Sequence, residues 1–144
     1  MFPNAAQAYR RMQVTTASPP QLVVQLYEGA ICFLERAIRA MESGDVEPAH
    51  VCLLRTQDII TQLRTSLNRD AGPLALQLDG LYDYFWRQLV AANTRKDPLL
   101  ARQVLDHLQQ LATAWRAVAA SLPGASAGSD AGLADQAASV RGRR

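Results

Sequence analysis

The sequence predicts an all-α protein, an antiparallel up-down four-helix bundle with a short N-terminal cap helix and a flexible C-terminal tail. Apolar residues recur at alternating spacings of three and four along four long segments, which is the pattern of amphipathic helices. Short breaks with Gly, Pro and Asp separate these segments, and no strand-type alternation of useful length is present. Because short connections force successive helices to run in opposite directions, these observations predict an up-down bundle.

The first long helix is predicted to begin at Ser18, whose hydroxyl would accept a hydrogen bond from the amide of Gln21, with Pro19 at the first helical position. Gly44 is expected to end this helix, and Asp45 to cap the next one. The apolar face is wide enough to pack on more than one neighbour and includes Leu22, Leu26, Tyr27, Ala30, Phe33, Leu34, Ala37 and Ile38.

The second and third helices show the spacing of bundle seams. The second is predicted to run from Val46 to about Leu67, with a core face of Val46, Ala49, Leu53, Thr56, Ile60, Leu63 and Leu67. Gly72 and Pro73 open the third, whose face is widened by Tyr82 and consists of Leu74, Leu78, Leu81, Phe85, Leu89 and Ala92. Gly80 lies within that helix, where glycine costs about 1 kcal/mol relative to alanine. Two explanations stay open: another backbone approaches closely at Gly80, or the helix tolerates the glycine at this cost.

Asp97 and Pro98 mark the start of the fourth helix, in which Val104, Leu108, Leu111, Trp115 and Val118 again step by four and three. The pattern stops after Ser121. We therefore expect a helical domain over residues 1–121, which includes an N-terminal cap segment at 1–17. Residues 122–144, rich in Gly, Ala, Ser and Arg, are expected to form a disordered tail because they cannot bury enough apolar surface.

The front segment has a short apolar stripe of Phe2, Ala5, Tyr9 and Met12, which predicts a helix from Asn4 to about Met12. A helix this short is not stable alone in water, so its docking on the bundle should be marginal. Two interpretations stay open. The segment is either a removable flap or a terminus that frays without consequence.

Composition and charge exclude several classes of function. With 144 residues, 49% hydrophobic and 19% charged, the chain fits one domain with a real core, and its net charge of +2 is too small for a polyanion-binding body. The arginines are spread among acids rather than gathered on a recognition helix. No signal peptide and no membrane span is apparent, so we expect a cytoplasmic protein that neither binds nucleic acid nor inserts into membranes.

The chemistry of an enzyme is also missing. A single ExxH motif, Glu47 to His50, cannot build a di-iron site, and Cys32 and Cys52 belong to no metal-binding motif and are expected to be buried thiols. Asp79 and Asp83 lie one turn apart and are interpreted as a solvated face. With no phosphate loop or nucleophile motif either, we expect no catalytic residue, metal or cofactor.

Aromatic residues, by contrast, exceed what one core face can use. Core packing explains Leu81 and Phe85, whereas Tyr84 and Trp86 lie outside the core face of their helix. Tyr27 is likewise one aromatic residue more than the core face of the first helix needs. Amphipathic aromatics at a surface frequently anchor a partner. The residues alone thus predict a bundle that binds a helix, with an N-terminal flap as one option.

The chain resembles the FliS family of flagellar secretion chaperones between Tyr9 and Trp115. The most specific part is the run Thr16, Ala17, Ser18, Pro19 joined to Leu26, Tyr27, Glu28, Gly29, Ala30, Ile31. Further similarity lies at Gln13, Val14, Leu22, Gln57, Asp58, Ile59, Ile60, Leu63, Leu67, Leu81, Tyr82, Asp83, Tyr84, Leu89, Ala92, Asn93 and Asp97. Pro20, the Asp79-Gly80 pair and the arginine-ended tail depart from the family's pattern.

The resemblance implies a cytosolic chaperone for export through the flagellar type III apparatus. Such a chaperone binds the disordered C-terminal segment of flagellin, prevents premature polymerisation and keeps the subunit competent for secretion, with export-apparatus components as further partners. On this basis we expect Tyr9 and Met12 to form a displaceable cap, and Leu26, Tyr27, Tyr82, Tyr84 and Trp86 to contribute groove surface. The alternative is a helical adaptor or regulatory module that binds another amphipathic helix.

Overall fold

The computed structural model describes residues 19–121, and in this part of the chain every regular element is helical. Four long helices, α1 (Pro19–Glu42), α2 (Val46–Thr65), α3 (Pro73–Arg95) and α4 (Pro98–Ser121), are joined by short connections, with a single 3-10 turn at Arg69–Ala71. The predicted all-α class is confirmed. The predicted cap by Ser18, the N-terminal cap helix and the C-terminal tail lie outside the described residues.

The chain divides into two compact units. One unit, Leu26–Ala112, contains segments of all four helices, and its internal contacts show how they pack. The other combines Met1–Gln25 with Thr113–Arg144. Its described residues are the first turns of α1, where Leu22 is buried, and the last turns of α4, where Ala119 is buried.

Antiparallel packing within Leu26–Ala112 follows from contacts between opposite helix ends. Arg64, near the end of α2, bonds to Asp79 in the first turns of α3. His50, near the start of α2, bonds to Asn93 near the end of α3. Glu42, at the end of α1, pairs with Arg102 at the start of α4. These three contacts confirm the predicted up-down order.

The helix boundaries largely follow the predicted signals. Gly44 takes a positive φ of 77° after α1, and Gly72, at φ 131°, precedes Pro73 at the start of α3. The carboxylate of Asp97 accepts a bond from the amide of Leu99 at 2.9 Å, as expected of a cap. Asp45 occupies the N-cap position of α2, but its side chain makes no capping bond there, so that part of the prediction is wrong.

The end of α3 is closed by Lys96, which adopts a left-handed conformation with φ 49°. Its ammonium group donates to the backbone carbonyl of Asn93 at 2.8 Å and to the side-chain oxygen of the same residue. Because this oxygen is occupied, the amide nitrogen of Asn93 faces His50 and donates to Nδ1 of that ring at 2.9 Å. Asn93 thereby links the last turn of α3 to the first turns of α2.

The core contains more small side chains than predicted. Alanines are buried on all four helices, and they allow close helix approach: Ala30, Ala37, Ala49, Ala75, Ala92, Ala101, Ala112 and Ala119. On α3 the buried face includes Ala75 and Tyr82, whereas Leu74, expected in the core, is exposed. Val46, expected to begin the core face of α2, is exposed as well. Leu78, Phe85, Leu89 and Ala92 are buried as predicted, so the core face of α3 differs from the prediction only where Ala75 is buried in place of Leu74 and Tyr82 in place of Leu81.

The structure also answers two questions from the sequence: why Gly80 occurs within a helix, and whether the cysteines are buried. A methyl group placed on Gly80 would have no neighbouring atom within 4 Å, so no backbone approaches it and the glycine is simply tolerated. Cys32 is exposed and Cys52 is half-buried, so the prediction of buried thiols is wrong. Cys32 lies two positions from both Ala30 and Leu34, which places it about 200° around α1 from the core face.

Candidate functional site

Tyr27 and Tyr82 lie in the core rather than on a groove surface. Both are buried, at 0% and 1% exposure, and their hydroxyl oxygens are 2.5 Å apart, which joins α1 to α3. The expected placement of these two residues on an open surface is therefore corrected. The shared hydrogen bond satisfies polar groups that would otherwise be costly to bury. Burial, together with the Tyr27 hydroxyl, raises the pKa of Tyr82 well above its ordinary value.

Tyr84 and Trp86 are exposed, as the sequence predicted, but they do not share a groove. They retain 40% and 41% exposure, respectively. Two positions on a helix differ by about 200°, so the two side chains lie on opposite flanks of α3. The structure thus separates two residues that the sequence analysis assigned to one site.

Trp86 lies on the flank of α3 that faces α2. Counting along the antiparallel helices between the His50–Asn93 and Arg64–Asp79 contacts places Leu54 opposite Val90 and Gln57 opposite Trp86. We call this strip the α2–α3 seam; its residues are His50, Leu54, Gln57, Thr61 and Arg64 of α2 and Asp79, Asp83, Trp86, Val90 and Asn93 of α3. Leu54 and Val90 are exposed at 43% and 37%. Sequence reasoning missed both, although their apolar character off the core face was a usable signal.

An ion-pair cluster closes one end of this seam. Arg64 donates to Asp79 at 2.7 Å and to Asp83 at 3.0 Å. Arg69 also binds Asp79, at 2.6 Å, and Arg87 binds Asp83, at 2.8 Å. The interpretation of the two acids as a merely solvated face is wrong, since both tie α3 to other parts of the chain or to their own helix.

The cluster shifts the ionisation of its members. The hydrogen bond from Arg64, followed by that from Arg69, lowers the pKa of Asp79 below its ordinary value. Reciprocally, the bond to Asp79 raises the pKa of Arg64. Both shifts stabilise the charged pair, which favours a structural tie over acid-base chemistry.

Tyr84 belongs to the other flank of α3, towards α4. Its hydroxyl accepts a bond from the side-chain amide of Gln88 at 3.2 Å, and its ring lies 6.1 Å from that of Phe85. The Phe85 ring in turn lies 5.6 Å from the ring of His107 on α4. His107 is exposed at the side of this aromatic group. The exposed part of this flank therefore combines the rings of Tyr84 and His107 with polar groups, while Phe85 lies buried beneath them.

Of the three remaining predicted site residues, one lies within residues 19–121 and two lie outside them. Leu26, on α1, is half-buried. Tyr9 and Met12, the expected cap, lie outside the described residues. Of the five predicted residues within 19–121, the structure brings Tyr27 and Tyr82 into direct contact through a hydrogen bond.

Residues 19–121 contain neither a cluster of potential metal ligands nor a helix that could span a membrane. No group of three or more potential metal ligands occurs in this range. Across the same residues no helix combines the length and the apolar character that crossing a membrane requires. What this part of the protein does offer is exposed apolar and aromatic side chains on helix flanks, a surface suited to binding another chain.

Comparison with known proteins identifies the family. The family described as Flagellar protein FliS matches residues 2–122. The flagellar secretion chaperone FliS of Bacillus subtilis is 34% identical over 113 residues, which cover 78% of this chain and 84% of that protein. FliS of Salmonella typhimurium is 36% identical over 115 residues, covering 78% of this chain and 85% of the relative. The chain therefore belongs to the FliS family of flagellar proteins, whose matched members are flagellar secretion chaperones.

Proposed function

We propose that the protein is a cytosolic chaperone of the flagellar type III export pathway whose client is the disordered C-terminal segment of flagellin. By covering this segment it prevents premature polymerisation and keeps the subunit competent for secretion and filament assembly. The observation that carries the proposal is the similarity to flagellar secretion chaperones over more than four-fifths of their length.

The surface chemistry supports binding of an unfolded apolar segment. Such a segment would fold as amphipathic helices on the bundle, and the buried apolar area would offset the entropy of ordering it. The exposed ring of Tyr84, its neighbour Gln88 and the exposed His107 provide both apolar area and hydrogen-bonding edges on one flank. No nucleotide is needed for such an equilibrium.

The proposed site combines this flank with the N-terminal segment. Tyr9 and Met12 act as a cap that the client displaces. Leu26 and Tyr84 contribute contact surface. Tyr27 and Tyr82 support the site from the core, because their hydroxyl bond fixes α1 against α3.

Calorimetry with a peptide of the flagellin C-terminal segment tests the proposal. We expect stoichiometric binding with a negative heat-capacity change, the mark of apolar burial coupled to folding. A peptide of the same composition in scrambled order is the control, and it should not bind. Absence of binding by the native peptide, or equal binding by both peptides, would rule out this client.

A further inference from the structure

The α2–α3 seam has an apolar middle between two polar closures. Leu54, Trp86 and Val90 expose about two-fifths of their surface there. His50 and Asn93 close one end, and the Arg64 cluster closes the other. From His50 to Arg64 the seam extends about 21 Å at a rise of 1.5 Å per residue, the length of a helix of about four turns.

Gln57 gives the floor of the seam a polar group without a partner. Its side chain is 93% buried, since only 7% is exposed, yet among residues 19–121 no hydrogen bond to its amide is found. Thr56, the other buried polar residue there, is satisfied by the carbonyl of Cys52 at 2.9 Å. Buried polar side chains nearly always find a partner, so a group supplied by another molecule would complete Gln57.

The charges along the α2 side of the seam favour a basic partner. Glu47 and Asp58 lie within about 40° of Leu54 around the helix, one on each side of it along the chain. Neither forms an ion pair within the described part of the chain, whereas Asp79 and Asp83 are already paired by arginines. Arg55 lies about 100° further around α2 from Leu54, away from the seam.

We propose that the α2–α3 seam binds one amphipathic helix of a partner protein, with lysine or arginine beside its apolar face and a polar side chain that bonds to Gln57. Apolar residues of that helix cover Leu54, Trp86 and Val90, and its basic residues meet Glu47 and Asp58. This surface lies on the flank of α3 opposite Tyr84, so it goes beyond the proposed flagellin site.

A second copy of the chain fits the seam poorly. An aromatic side chain buries about 150–250 Å² in total, so two-fifths of Trp86 amounts to roughly 60–100 Å². Even with Leu54 and Val90 the patch falls far below the roughly 800 Å² per partner of a stable dimer. A single helix of about four turns is a smaller partner than a folded domain, and its length matches that of the seam.

Designed peptides of about 14 residues, the length that spans the seam, test the proposal by nuclear magnetic resonance titration of the full chain. One peptide carries leucines at helical spacing, a central glutamine on the apolar face and lysines beside that face; the second has glutamates in place of the lysines. We expect the lysine peptide to bind at least tenfold more tightly and to shift the amide signals around Leu54, Trp86 and Val90. Equal binding of both peptides, or signal shifts elsewhere, would overturn the proposal.

Substitutions in the chain test whether the lysine peptide binds at the α2–α3 seam. Leu54→Glu should weaken binding of the lysine peptide at least tenfold, whereas Leu99→Glu, at an exposed leucine on α4, should leave it unchanged. The paired reversal Glu47→Lys and Asp58→Lys should invert the preference between the two peptides, with Asp106→Lys on α4 as its control. If neither Leu54→Glu nor the charge reversal alters binding, the seam is not the site.

Substitutions at Gln57 test whether its side chain bonds to the partner helix or only packs within the bundle. Replacing the central glutamine of the lysine peptide by leucine should weaken binding to the native chain, and this difference should vanish in Gln57→Leu. A difference that persists in Gln57→Leu would contradict the assigned contact. Gln57→Leu should also unfold at a higher denaturant concentration, since it removes an unsatisfied buried amide.

The two proposed surfaces can fail independently. The complex with the flagellin C-terminal peptide should still bind the lysine peptide with unchanged affinity. Competition between the peptides would place the seam within the flagellin site and overturn the claim of a separate partner. Failure of flagellin to bind would contradict only the proposed function. Sedimentation should show a monomer at all concentrations, and dimerisation abolished by Leu54→Glu would instead assign the seam to a second copy.

Discussion

Single side chains decide what the exposed aromatic surface can do, and Tyr84 is the clearest case. Tyr84→Ala should weaken binding of the flagellin C-terminal peptide by tenfold or more, because an exposed aromatic anchor is lost. Its effect on the free energy of unfolding should stay within about 0.5 kcal/mol, since its one hydrogen bond within residues 19–121 is to Gln88 on the same helix. Calorimetry and urea unfolding measure the two quantities. Leu99→Ala, at another exposed residue, is the matched control, and an equal loss of affinity there would contradict the assignment.

The tyrosine pair in the core makes a different prediction. Tyr27→Phe or Tyr82→Phe removes one hydroxyl and leaves the other without the bond across the core, at a cost of about 1–3 kcal/mol. The double variant should lose less than the sum of the two, because no hydroxyl is then left without its cross-core bond. Urea unfolding of the three variants forms a double-mutant cycle. Strict additivity would show that the two hydroxyls do not depend on each other.

Within the helix elements, α3 carries an avoidable weakness at Gly80. Gly80→Ala should raise the free energy of unfolding by about 1 kcal/mol, since alanine is the better helix former and its methyl group meets no neighbouring atom within 4 Å. Chemical denaturation measures the gain. Gly44→Ala is the contrasting control, because its φ of 77° suits glycine, and it should destabilise the chain. Destabilisation by Gly80→Ala would mean that the site is more crowded than the structure shows.

The tie between α2 and α3 predicts a dependence of stability on pH. Asp79 has a lowered pKa in the folded chain, so its contribution is present above the ordinary carboxyl value of 3.8 and is lost as the pH falls through the folded value. Asp79→Asn should therefore lower the unfolding midpoint at neutral pH, and the difference from the native chain should shrink below pH 3.8. Asp106→Asn is the control. A difference that stays constant down to acidic pH would contradict the role of the ion pair.

For the whole molecule, the central prediction concerns the N-terminal segment. Tyr9→Ala should change the affinity for the flagellin peptide and leave the unfolding midpoint of the bundle nearly unchanged, because a short docked segment contributes little net stability. Calorimetry and thermal unfolding give the two readouts. A large loss of stability would show that Tyr9 belongs to the permanent core and is no part of a displaceable cap.

Much of the architecture could be predicted from the sequence because its signals are local. Helical spacing and the breaks at Gly44, Gly72 and Asp97 gave the four helices within a few residues. The face that each helix buries was less predictable, since it depends on contacts between distant residues. On α3, for example, Tyr82 is buried more fully than the predicted Leu81, and its hydroxyl bonds to Tyr27, 55 positions away.

The candidate site was predicted only in part for the same reason. Tyr84 and Trp86 were identified because a single helix cannot bury so many aromatics, and their exposure follows from geometry within α3. Which neighbouring helix each of their opposite flanks faces becomes clear only from the packing of α2 and α4. Similarly, Leu54 gains significance only when antiparallel packing places it beside Val90.

The conformation of Lys96 has a practical consequence for chemical labelling. It is the only lysine among the 144 residues, and its amine is held against two oxygens of Asn93 beside the closure of the seam. Apart from an α-amino group, an acylating reagent can therefore modify only this amine, so a dye or affinity tag attached to a side-chain amine lies at one known point. Because the hydrogen bonds to Asn93 must open first, the rate of acylation reports on fraying of the last turn of α3. The acylation rate of this single side-chain amine thus reports on one helix end.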